Sequence, residues 1–132
     1  MPSEQAVRLL PLNAPSTWLA VLAAVLFLGL GLRALLDPVG ASAFFGAPVT
    51  NADGLAFVRV YGARNIGISL IALALIALDL RRGLAAVLFA AALIAGLDFA
   101  VVAGQSGAAR AAKHLGYVVV LSAAGWWFAS RG

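Results

Sequence analysis

Arg64, Asn65, Asp98 and His114 are the residues of this chain whose types could do chemistry, and Tyr61 and Tyr117 each stand within about one helical turn of one of them. A guanidinium and an amide donate hydrogen bonds to an oxygen that gains negative charge, while a carboxylate and an imidazole exchange protons. In an enzyme, Asp98 and His114 would be the general acid and base, with Arg64 and Asn65 stabilising an oxyanion. In a binding protein the same residues, joined by Tyr61, Tyr117 and Arg59, would surround the head of a ligand. If the segments are helical, Tyr61, Arg64, Asn65 and Ile68 share one face, and His114, Tyr117 and Leu121 share another.

The elements that position these groups follow from composition. Apolar residues form 64% of the 132-residue chain and charged residues 11%, against about 25% charged in ordinary soluble domains. Four apolar runs, at residues 16–36, 54–78, 83–103 and 111–129, are each long enough to cross about 30 Å of hydrocarbon as a helix. A backbone in lipid must satisfy its own hydrogen bonds, and the runs lack the alternating polarity of barrel strands. The expected fold is all-α: one transmembrane domain over residues 16–130, a four-helix bundle of up-down topology with short turns, preceded by a cytoplasmic tail of residues 1–15. Asp37-Pro38 closes the first run, Asn51 or Asp53 caps the second, and polar turns at residues 79–83 and 105–107 separate the others. Phe44-Phe45-Gly46, in the one longer connection, suits the headgroup region. Ala41-Ser42-Ala43 after an apolar run resembles a signal-peptide cleavage site, but the run is long for a signal core and contains Arg33.

Depth then raises a problem of charge. Counted from residue 54, Arg59 lies about 8 Å and Arg64 about 15 Å inside the second span, and Asp98 lies about 9 Å from the outer end of the third. An arginine near the bilayer centre costs about 2.5 to 3.5 kcal/mol. The expected compensation is an intramembrane ion pair, Arg64 with Asp98 first and Arg59 with Asp98 second. Arg8, Arg81, Arg82 and Arg131 fall on one side and Arg110 and Lys113 on the other, so the positive-inside rule puts both termini in the cytoplasm of a multi-pass cell-membrane protein. Trp18, Trp126 and Trp127 agree as interface anchors on that side.

Other chemistries are excluded or have plainer explanations. The chain has no cysteine and one histidine, so neither a thiolate nor an all-histidine metal site fits, and no metal or cofactor is expected. Its net charge of +4 is scattered through apolar runs, which argues against nucleic acid. Arg33, Arg59 and Lys113 suit snorkelling and headgroup contact, Gly29 and Gly31 suit helix contact, and the tyrosines suit packing with a satisfied hydroxyl.

Gly62-Ala63-Arg64-Asn65 followed by an apolar run, a short Asp/Arg turn, Gly96-Leu97-Asp98 and a Gly-containing turn before His114 form a pattern. With Phe44-Phe45-Gly46-Ala47-Pro48 upstream, it resembles a group of small four-span bacterial integral membrane proteins catalogued only as a domain of unknown function. That resemblance implies the four-span fold and directs attention to Arg64, Asn65, Asp98 and His114. Three functions compete. The first is binding or carriage of an amphipathic molecule with an anionic or hydrogen-bonding head, because cations outnumber acids at that depth. The second is an intramembrane isomerase, cyclase or hydrolase on a lipophilic substrate. The third is a structural or assembly module locked by Arg64 and Asp98. Partners would be membrane lipid, a lipophilic or amphipathic small molecule and, by analogy with other small membrane proteins, a second copy of the chain.

Overall fold

Proline and short polar side chains set the helix boundaries. A computed structural model describes residues 12–131, so the expected tail and its Arg8 lie largely outside the described residues. Helix α1 (Pro15–Leu36) starts with proline at its first turn and stops at Asp37, ahead of Pro38. The Asp37 carboxylate accepts from the Gly40 amide at 2.9 Å and so caps α2 (Pro38–Phe45). Gly46 ends α2 at φ 106°, a region open to glycine at little cost. Asn51 caps α3 (Ala52–Ala77) by accepting from the Gly54 amide at 2.7 Å. A turn through Asp79 leads to α4 (Arg81–Ser106), and Gly107 alone separates α4 from α5 (Ala108–Ala129).

The chain is thus all-helical among the described residues, with five helices rather than four. The added one is α2, in the longer connection between the first two expected spans. Three helices, α1, α3 and α4, are long and apolar enough to cross a membrane. Helix α5, expected as the fourth span, is not among them. Arg110, Lys113 and His114 in its first two turns, with Trp126 and Trp127 in its last, dilute its apolar middle.

Packing divides the helices into two pairs. Helices α1 and α3 meet through glycine: a methyl group added at Gly62 would lie 2.6 Å from the Gly31 carbonyl oxygen and 2.8 Å from Ala34 Cβ. Backbones approach that closely only where side chains are absent or minimal. Gly29 and Gly67, by contrast, face open space. Helices α4 and α5 form the second pair and contact each other along their length, with Gly125 against the Phe89 ring and Gly96 beside Val118. Contact between α3 and α4 is sparse. The pairs meet through Ala20, Ala24 and Ala72 on one side and Leu84, Leu88 and Leu121 on the other. Alanines are too small to fill the space between two helix pairs, and a cavity remains there.

Candidate functional site

The cavity, about 90 Å³ in volume, runs between the two helix pairs. A single water needs roughly 10–15 Å³ by the same kind of measure, so the space holds several waters or part of a small molecule. Helix α3 lines it with Tyr61, Asn65, Ile68, Ser69 and Ala72, and α4 with residues three or four apart from Leu84 to Asp98. Those spacings keep one stripe of each helix turned inward.

Polarity is concentrated toward one end. Tyr61, Asn65, Asp98, His114 and Tyr117 all face the cavity there, with Arg33 and Lys113. The opposite end is alanine and leucine. Antiparallel packing of α4 on α5, which sets Gly96 beside Val118, brings Asp98 and His114 to within about 3 Å of the same height. Among the described residues, no hydrogen bond or ion pair reaches the Asp98 carboxylate.

Two residues expected at the site lie elsewhere. Arg64 and Arg59 are exposed and do not line the cavity. Each residue advances a helix by about 100°, so Arg64 falls about 85° from the centre of the inward stripe and Arg59 on nearly the opposite side. The expected ion pair of Arg64 or Arg59 with Asp98 is therefore absent. The two ion pairs among the described residues, Arg33–Asp37 at 4.0 Å and Arg81–Asp79 at 2.8 Å, lie at helix ends.

Helix α2 closes the polar end. Its Phe45 ring packs edge-on against Tyr61 and His114, with centroids 5.4 and 4.9 Å away. Phe44 lies under two cations, Lys113 at 4.3 Å and Arg33 at 5.3 Å from its centroid, an arrangement favoured by the ring's negative face. His114 is buried, and its Nε2 lies 2.9 Å from the Phe45 carbonyl. A carbonyl only accepts, so the proton sits on Nε2. In the neutral ring Nδ1 is then the basic nitrogen.

Sequence reasoning missed Ser69, which is 1% exposed and lines the cavity one turn below Asn65. Its spacing of four from Asn65 and eight from Tyr61 was the available signal. The Ser69 hydroxyl and the Asn65 Nδ2 amide are buried with no hydrogen-bond partner among the described residues. Arg33 and Lys113, expected only to meet headgroups, also border the cavity, and α2 holds Phe44 between them.

Residues 24–128 match the family described as a domain of unknown function, DUF4267. The chain belongs to that family. No curated protein and no solved structure matches it. The DUF4267 segment contains every polar residue of the cavity, and of the lining only Ala20 and Ala23 precede it.

The α2 contact gives a first test of this DUF4267 site. His114→Ala removes the hydrogen bond to Phe45, worth about 1 kcal/mol net, together with two ring contacts. Amide hydrogen exchange in residues 40–46 is expected to accelerate severalfold while exchange in the middle of α4 stays unchanged. Equal acceleration in both would mean that His114 holds the whole fold rather than this cap.

Proposed function

We propose that this DUF4267 protein is an integral membrane protein that binds an amphipathic molecule between its two helix pairs. The head lies among Tyr61, Asn65, Asp98, His114 and Tyr117, and the apolar body lies along Ala24, Ala72, Leu88 and Leu121. The observation that carries this reading is a single cavity that is polar at one end and apolar at the other. In this reading α5 crosses the membrane beside α4, making four spans: its 22 residues extend about 33 Å, and its Val119 and Val120 are exposed as lipid-facing residues are. The end of the bundle bearing Arg81, Arg82 and Arg131 faces the cytoplasm, by the positive-inside rule. Arg64 and Arg59 are served by snorkelling toward the opposite headgroups, which their exposed positions favour.

Purified protein in mild detergent provides the test. Organic extraction and mass spectrometry should recover a lipophilic molecule from the wild type and much less from Ala72→Trp, which fills the apolar end. Equal recovery from both, or none from the wild type, removes the reading. The shared height of Asp98 and His114 favours a second reading, an intramembrane enzyme using them as acid and base. That reading requires the molecule recovered from Asp98→Asn to differ from the wild-type one, as unreacted substrate differs from product.

A further inference from the structure

Ser69 and Asn65 narrow the class of ligand. Helix α4 packs Gly83 against Leu75 of α3. Counting both antiparallel helices outward from that contact puts Asp98 near the height of Tyr61, with Asn65 about 7 Å and Ser69 about 13 Å deeper. The deeper pair is uncharged, and the Ser69 hydroxyl and Asn65 Nδ2 meet no partner at hydrogen-bonding geometry among the described residues, although the Asn65 side chain lies beside the Tyr61 hydroxyl. Buried serines on helices commonly bond the carbonyl four residues back; Ser69 does not.

Charge excludes two kinds of group at that depth. An anion beside Asn65 and Ser69 would be separated from Arg33 and Lys113, which stay at the rim on Phe44, and would have the unpaired Asp98 carboxylate above it. A cation would be held at Asp98 and would face the wrong end of the Asn65 amide, whose Nδ2 donates. A neutral oxygen accepts from both Asn65 Nδ2 and the Ser69 hydroxyl.

We infer that the cavity holds a lipophilic molecule through an uncharged oxygen, a carbonyl, ester, ether or hydroxyl group, hydrogen-bonded by Asn65 and Ser69. This rests on the cavity binding an amphipathic molecule at all, and of an anionic or a hydrogen-bonding head it selects the uncharged, hydrogen-bonding one. Asp98 and His114 then meet the more exposed part of the same molecule.

Three probes of nearly equal chain length separate the possibilities: methyl undecyl ketone, dodecanoate and dodecylamine, each titrated by thermal shift against the protein in lipid nanodiscs. The ketone is expected to bind most tightly. Its affinity should fall about thirtyfold in Asn65→Leu/Ser69→Ala, as loss of two neutral hydrogen bonds implies, and be kept in Ser69→Thr, which retains the hydroxyl. Tighter binding of dodecanoate or dodecylamine, or ketone binding indifferent to both substitutions, overturns the inference while the cavity reading stands. Binding of none of the three by the wild type overturns both. Ser69→Ala removes only an unpartnered hydroxyl and is expected to melt no lower than the wild type, so it serves as the second variant should the loss of the Asn65 amide beside Tyr61 weaken the double variant.

Discussion

Gly62→Leu is expected to destabilise the fold strongly. Even a methyl group at this position would sit 2.6 Å from the Gly31 carbonyl oxygen and 2.8 Å from Ala34 Cβ, and backbone atoms cannot turn aside as a long side chain can. Overpacking a close contact costs about 1–3 kcal/mol, and forcing two helix backbones apart along a shared surface belongs at or above the upper end. Since a domain's whole stability is about 5–15 kcal/mol, Gly62→Leu should lower the melting temperature by many degrees, and Gly62→Ala by less. Thermal unfolding followed by tryptophan fluorescence measures both. Gly29→Ala and Gly67→Ala place the same methyl group in open space and should leave the melting temperature unchanged. If all four substitutions melt alike, the α1–α3 approach does not hold the pair together.

Asp98→Asn should act in the opposite direction. Breaking a buried ion pair from one side costs about 3–5 kcal/mol, because the other charge is left without its partner. Among the described residues Asp98 has no ion-pair partner to abandon. Burial of its carboxylate carries a desolvation cost that the nearby His114 offsets only in part, so the amide should leave stability unchanged or raise it by up to about 2 kcal/mol. A side chain that weakens the fold while facing a cavity is what a functional group does, whereas a locking group would strengthen the fold. Arg64→Leu should also be tolerated, since Arg64 is exposed and outside the cavity. Large losses in both single variants, with no further loss in the double, would restore a structural pair between them and remove Asp98 from the site.

Much of the frame was legible in the sequence because helix ends are local chemistry. Asp37-Pro38, Asn51 and Gly107 mark boundaries by capping or breaking helices, and the expected runs agree with α1, α3, α4 and α5 to within a few residues. Helix α2 was not read, although Asp37 before it, Pro38 at its start and Gly46 after it were the same kinds of signal. Eight residues rich in Gly, Ala and Ser offer no apolar stripe to reinforce them.

Facing is harder to read than extent. The convergence of Asn65, Asp98 and His114 could be expected from depth alone, but depth says nothing of rotation. Arg64 and Asn65 differ by one residue and lie on different sides of α3, and what turns α3 is the Gly31–Gly62 contact with another helix. A single sequence does not encode that contact in any local spacing. For the same reason Ser69 passed as one more polar residue in an apolar run until the neighbouring helices surrounded it.

The joints within each helix pair and part of the chamber wall are made of different residues. Gly31 with Gly62 fastens one pair and Gly125 with Phe89 the other, while the chamber wall is drawn from Ile68, Ser69, Ala91 and Asp98. Those four wall positions can therefore be refurnished one side chain at a time without loosening either pair, so proteins sharing this architecture are free to host different guests.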